Sequence, residues 1–157
     1  MIEIERLNPS HIPSVKDIQL SDESIKYAST ADDFLLDGSD ATHLCVVKHH
    51  GLVVGFFKLD LAYASTYRFC SKNSIGLRTF AVDQRQQGKG LGTKTVEALK
   101  SYLAHHYRRY DFVYLTVNCK NLAAIACYRK GGFEETGELY LGGEAGPQHV
   151  MRRRITV

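Results

Sequence analysis

Apolar and polar residues alternate along "IEIERL" at the start of the chain, and a period of two marks a half-buried strand. Asn8 and Ser10 are helix-cap candidates ahead of "HIPSVKDIQL", and a helical, acid-rich stretch continues to about Asp40 in one or two further pieces. "THLCVVKHHGLVVGFFKLDL" reads as two β-rich runs around a turn at His50-Gly51, a β-hairpin. "SIGLRTFAV" is another strand, and its alternation puts Ile75, Leu77, Thr79 and Ala81 on one face. From Gly90 the period changes: Leu91, Thr95, Val96, Leu99, Tyr102 and Leu103 recur at helical spacing and predict one buried stripe over four to five turns. "FVYLTV" is a strand, and "NLAAIACYRK" is a short helix capped by Asn121 and stopped by Gly131-Gly132. "FEETGELYL" and "HVMRRRITV" close the chain as strands. The predicted order is β–α–α–β–β–β–α–β–α–β–β, an α/β chain with a mixed sheet.

No repeat, low-complexity tract or linker divides the 157 residues, so one domain over residues 1–157 is expected. With 44% apolar and 24% charged residues the chain has the balance of an ordinary globular protein and not of a disordered one. No apolar run approaches a membrane span and "MIEIERLNPS" lacks the regions of a signal peptide; a cytoplasmic protein with no membrane partner is the expectation. Cys45, Cys70, Cys119 and Cys127 form no C-x-x-C pair, and the histidine pairs His49-His50 and His105-His106 are sequence neighbours that point apart, so no metal is expected.

Charge adds an asymmetry. Residues 1–60 carry ten acids and five Lys/Arg; residues 61–157 carry seven and fifteen. Seven of the acids lie between Asp17 and Asp40, where Lys26 is the single Lys or Arg. This is either a solvated helix surface or an acidic wall facing a cation, with the basic half facing an anion. Arg108-Arg109 and Arg152-Arg153-Arg154 raise the option of nucleic acid, but the modest net charge of +3 and the alternation of those arginines across a strand favour solvated surface, and no nucleic-acid partner is expected.

The candidate chemistry is concentrated in "VDQRQQGKGLGTKTVEAL", a glycine-rich turn between a strand and a helix. Free backbone N–H groups at a helix start, with no Cβ in the way, make an anion seat. No register of "GKGLGTK" supplies the Walker A pattern. The Rossmann G-x-G-x-x-G fits less well, because the third glycine falls one place early at Gly92, although Asp111 lies near the ribose spacing. The pattern [QR]-x-x-G-x-[GA] is met at every defined position by Gln87-Gly88-Lys89-Gly90-Leu91-Gly92.

That loop resembles the acetyl-CoA pyrophosphate loop of the GNAT acetyltransferase superfamily, and "NLAAIACYRKGGF" resembles the superfamily's second motif, N-x-x-A-x-x-x-Y-x-x-x-G-F. The two lie in the right order about thirty residues apart, and the resemblance covers almost the whole chain. It implies the GNAT fold, a mixed and mostly antiparallel sheet in which the fourth and fifth strands are parallel and splay apart to hold the cofactor. It also implies acetyl-CoA as co-substrate and transfer of acetyl to an amine without a covalent acetyl-enzyme. Phe80, Ala81 and Val82 would meet the pantetheine, with an N–H near Ala81 on the acetyl oxygen. Gln87, Gly88, Lys89, Gly90, Leu91, Gly92 and Thr93 would hold the pyrophosphate, with Lys89, Lys94 or Lys130 near the remaining phosphate. Asn121 and Tyr128, two helical turns apart, would face the cleft, and Tyr128 would serve the departing thiolate.

The acceptor is less constrained. Some members carry a glutamate on the strand before the loop, where "GLRTFAV" offers only Arg78 and Thr79. Asp22, Glu23, Asp60 and His149 are the candidates to receive the amine proton. "IQLSDESIKYASTADDFL" resembles bacterial diamine and polyamine acetyltransferases of the superfamily, so a small cationic amine is the expected acceptor. Amino acids, peptide or protein amines, and a non-catalytic CoA-binding sensor are the alternatives. A homodimer through the C-terminal strand is the expected form of any assembly.

Overall fold

The computed structural model describes residues 1–156, so the Val157 end of the last expected strand lies outside them. Seven strands form one sheet: β1 (Ile2–Arg6), β2 (Thr42–His49), β3 (Leu52–Asp60), β4 (Ser74–Val82), β5 (Phe112–Asn118), β6 (Glu134–Tyr140) and β7 (Gln148–Arg154), in the order β1-β2-β3-β4-β5-β7-β6. All neighbours are antiparallel except β4 and β5, which are parallel. The predicted order of strands is what forms. The β2–β3 turn falls at His50 and Gly51, both at positive φ (52° and 77°), as a two-residue hairpin requires.

The helices are α1 (Ile12–Asp17), α2 (Asp22–Ala28), α3 (Ala31–Leu36), α4 (Tyr63–Thr66), α5 (Leu91–His106) and α6 (Leu122–Lys130). The acidic stretch breaks into α2 and α3 because Ser21 and Thr30 each cap a new start, accepting from Ser24 N–H and Asp33 N–H. The one-turn helix α4 is absent from the sequence expectation; four residues are too few for a periodic signal.

Core residues line both faces of the sheet. On one, Cys45, Val47, Phe57, Leu59, Ile75 and Leu77 pack against Leu91, Val96, Leu99 and Leu103 of α5 and Ile125 of α6. On the other, Val15 and Phe34 of α1 and α3 cover Leu44, Val46 and Phe56, while Tyr63 of α4 packs with Tyr114 and Val150. A side chain at Gly76 would overlap the Tyr63 ring, so the absence of one lets α4 lie flat on β4.

Two departures from regular pairing shape the sheet's centre. β4 does not alternate throughout. Phe56 opposes Ala81 and Lys58 opposes Arg78, so Phe57 alone faces both Thr79 and Phe80. This is a β-bulge, and Thr79 sits in it at φ 55°. The extra residue reverses the phase: Phe80 and Val82 join Ile75 and Leu77 on the α5 side, and Ala81 joins the opposite cluster. The expected single face of Ile75, Leu77, Thr79 and Ala81 is therefore corrected. The second departure is that β4 and β5 pair over only three residues, Ser74 with Phe112, Ile75 with Val113 and Gly76 with Tyr114. Beyond Gly76 the strands separate and open a gap.

Candidate functional site

A cleft of about 900 Å³ begins in that gap. Its volume suits an extended cofactor together with a small second ligand. Leu77 to Val82 of β4 and Thr116 to Asn118 of β5 line its sides. One end is formed by Gln86, Gln87, Gly88 and residues Gly90 to Thr93, the other by α2, α4 and the β6–β7 loop.

The glycine end is an N–H-rich pocket. Gly88 (φ 85°) and Gly90 (φ 74°) are left-handed, a conformation that costs other residues roughly 1–2 kcal/mol. Gly90 is the cap residue of α5 and has no side chain to satisfy the first N–H groups. The helical ladder starts with Lys94 N–H donating to Gly90 C=O at 3.0 Å, which leaves the N–H groups of Leu91, Gly92 and Thr93 outside it. Gly92 has another role: a Cβ there would stand 3.4 Å from Cys127 Sγ, so α5 and α6 meet closely at this point. The loop is anchored from behind by Asp83, which is buried and accepts from Arg85 Nη2 (2.7 Å), Nε (3.0 Å) and backbone N–H (2.9 Å). Burial pushes the Asp83 carboxyl up, but the Arg85 guanidinium and the N–H groups of Arg85 and Gln19 outweigh it and hold it below the usual carboxylate range.

Tyr128 lines the cleft, with its ring 6.2 Å from Phe80 and 5.7 Å from Phe133. Burial, reinforced by the neighbouring Cys127 thiol, raises its phenol above the ordinary tyrosine range. Asn121 also lines the cleft and caps α6, accepting from Ala124 N–H at 3.3 Å. Burial likewise raises the thiol of Cys127, the one cysteine of the described residues that reaches the cleft.

The cleft thus brings together Phe80, Ala81, Val82, Gln87, Gly88, Gly90, Leu91, Gly92, Thr93, Asn121 and Tyr128. Lys89 and Lys130 do not line it; Lys89 Nζ donates to Gln86 Oε1 at 3.0 Å, and Lys130 is exposed on the last turn of α6. Of the four acceptor-side candidates, Glu23 lines the cleft and the other three do not. Asp22, its helix neighbour, points elsewhere as adjacent helical residues must. Asp60 is buried, accepting from Arg78 Nη1 at 3.1 Å and Ala62 N–H at 2.9 Å. His149 Nδ1 faces Glu135 at 3.8 Å. The acidic wall also contracts: Asp17 pairs with Arg85, Asp33 accepts from Ser29 and Asp37 holds Lys58, which leaves Glu23 alone of the seven acids on the cleft.

The structure adds residues that no motif announced. Tyr63 reaches the cleft from α4 and Tyr67 from its C-cap, and their i, i+4 spacing was the available signal. Glu144 comes from the β6–β7 loop, which Asn118 ties down by donating from Nδ2 to Ala145 C=O at 3.0 Å. Among the described residues no group of three or more His, Cys, Asp or Glu could hold a metal, and no helix is long and apolar enough to cross a membrane.

Comparison with known proteins places this geometry. Residues 12–133 match the acetyltransferase (GNAT) family. The spermine/spermidine N(1)-acetyltransferase of Bacillus subtilis is 31% identical over 146 residues, 91% of this chain and 94% of that protein. An aminoglycoside acetyltransferase solved with coenzyme A superposes with a TM-score of 0.79 at 18% identity, over 98% of this chain and 95% of that one. A spermidine N-acetyltransferase from Vibrio cholerae, solved with CoA and spermine, superposes with a TM-score of 0.72 at 16% identity, over 98% and 95%. The bulged β4, its three-residue pairing with β5, the glycine loop at the start of α5 and the match over residues 12–133 agree: this chain belongs to the acetyltransferase (GNAT) family.

Proposed function

We propose that the protein transfers the acetyl group of acetyl-CoA directly to a primary amine of a small polycation, a diamine or polyamine. One observation carries the reading: a single cleft joins an N–H-rich anion seat to a second compartment bearing the carboxylates Glu23 and Glu144 among Tyr27, Tyr63 and Tyr67. Carboxylates and tyrosine faces together suit ammonium groups on a flexible chain. The similarity to a spermine/spermidine N(1)-acetyltransferase supports that acceptor class.

In this reading the pyrophosphate lies on the N–H groups at Gln87 to Thr93, where the dipole of α5 favours negative charge. The pantetheine runs into the gap between β4 and β5 beside Phe80, Ala81 and Val82. The bulge at Thr79–Phe80 turns a backbone N–H near Ala81 toward the thioester oxygen, a fixed dipole aimed where charge develops. The amine enters from the α2 and α4 side and attacks the carbonyl carbon. The tetrahedral intermediate then collapses, the C–S bond breaks and CoA leaves as thiolate.

Tyr128 serves that thiolate. A thiol of pKa about 8.5 is a stronger acid than tyrosine, so full proton transfer is uphill by roughly 2 kcal/mol before burial raises the phenol further. Tyr128 therefore acts chiefly by donating a hydrogen bond to the leaving sulfur. Cys127 stays a protonated thiol in its buried setting, which supports direct transfer over an acetyl-cysteine. Of the carboxylates on the cleft, Glu23 and Glu144 are the groups able to receive the amine's proton, directly or through water.

The test is CoA thiol release in a panel of acceptors: spermidine, spermine, short diamines, amino acids and peptide N-termini. Release is expected with the polyamines. Inert polyamines beside reactive amino acids or peptides would reject the acceptor class, and acetyl-CoA binding without release in any amine would reject the enzyme.

A further inference from the structure

The acceptor side of the cleft has a cation on its floor, contributed by β4. Arg78 immediately precedes the bulge residue Thr79 and lines the cleft, with its side chain 40% exposed. It is held there from behind: Asp60 of β3, with a side chain only 12% exposed, accepts from Arg78 Nη1 at 3.1 Å and is itself fixed by Ala62 N–H at 2.9 Å. The cross-strand partner of Arg78 is Lys58, a buried ammonium bound at 2.6 Å to Asp37, which caps the end of α3. Asp60, Asp37 and Lys58 do not line the cleft, and Arg78 is the one member of the two pairs that does. The other charged and titratable groups around this floor are Tyr63 of α4 and its C-cap Tyr67, Glu23, Lys26 and Tyr27 of α2, and Glu144 of the β6–β7 loop. Neither carboxylate among them is an ion-pair partner of Arg78.

We propose that Arg78, braced by Asp60, holds the reacting nitrogen of the acceptor in its neutral form by placing a fixed positive charge beside it. This rests on the acetyltransferase reading above and answers its costliest step. An alkyl ammonium of pKa about 10.4 is free base once in a few thousand molecules near neutral pH, and only the free base has the lone pair that attacks. A like charge a few ångströms away disfavours the ammonium and lowers its pKa. The same charge sets the orientation of a polyamine. Its reacting end is driven neutral at the floor, and its remaining ammonium groups are left toward Glu23 and Glu144. Arg78 is thus a positioning residue that acts through the substrate's own protonation.

The measurement is kcat at saturating acceptor as a function of pH, because kcat reports ionisations in the bound complex. In the unaltered protein the acidic limb should lie well below the amine's solution pKa. Arg78→Gln should move that limb up by about one pH unit, so that kcat below the limb falls about tenfold. KM should hold or fall, because the ammonium form is then tolerated at the floor. Arg78→Lys should restore the limb. The double variant Asp60→Asn/Arg78→Gln removes the pair without stranding a buried carboxylate, and it should shift the limb in the same direction with its melting temperature confirming a folded chain.

An unmoved limb, or a raised KM with unchanged kcat, overturns the proposal by making Arg78 a simple binding or structural group. So does a loss confined to acceptors bearing a carboxylate, which would make it an anion anchor. If the unaltered protein acetylates other amines and no polyamine, the acceptor class has failed by itself, and the limb is then measured with the amine that does react.

Discussion

Thr79 and Tyr128 show how single positions carry the site. A β-branched residue at φ 55° is held against its own preference, and such strain persists where the surrounding structure over-determines it. Here it re-aims the backbone by one residue at the mouth of the gap. Tyr128 is shaped by enclosure: the same burial that raises its phenol keeps the proton on it, and in the proposed reaction that proton is shared with a departing sulfur. Tyr128→Phe preserves the packing against Phe80 and Phe133 while removing that hydrogen bond. It should lower kcat by about 10²-fold and leave acetyl-CoA affinity within a factor of two or so, checked by single-turnover kinetics and calorimetry.

At the level of elements, the turn after β4 is the piece whose failure would spread. Asp83 N–H donates to Val54 C=O at 2.8 Å and Gln84 N–H to Gln19 C=O at 2.7 Å, so this turn fastens the glycine loop both to the sheet and to the segment before α2. The Asp83 carboxyl is held below its ordinary value, and such a group stabilises the fold above the unfolded carboxylate pKa and loses that contribution as pH falls through the folded value. Asp83→Asn should therefore cost about 1–2 kcal/mol near neutral pH, a modest figure because Arg85 is half open to water, and the gap from the unaltered protein should close in acid. Chemical denaturation at a series of pH values reads this directly. The same scale explains what was legible beforehand. Long periodic stretches such as α5, and loops with a chemical signature such as Gln87 to Gly92, could be read from local order. The β4 bulge could not, since the extra residue is specified by its pairing with Phe57 across the sheet and not by any residue in "SIGLRTFAV". Which of the acids reaches the cleft was hidden for a related reason. Charge counts cannot tell Asp37, consumed by Lys58, from Glu23, which faces the cleft.

Across the whole molecule, the acid-rich first 60 residues supply α2 beside one compartment, and the basic remainder supplies the glycine loop of the other. Two ligands of opposite charge would meet in one cleft, so long-range attraction should assist both. For a polyamine acceptor KM should rise several-fold between low ionic strength and about 0.15 M, where the Debye length is roughly 8 Å, while an uncharged amine analogue should respond little. Initial rates across a salt series give the comparison.

The three-residue seam between β4 and β5 has a further consequence for which acyl groups fit. With so few rungs joining them, the two leaves of the sheet are kept at their distance largely by α5 and α6 packed across the back. That contact is set where Gly131 rests on Val96 and Gly92 approaches Cys127; a side chain added at Gly131 would collide with Val96 and push α6 away. The width of the gap is thus set in part from behind the sheet, at the Gly131–Val96 contact, whose two residues do not line the cleft. Tolerance for chains longer than acetyl is accordingly a property of helix spacing, and it is open to change from a position outside the cleft.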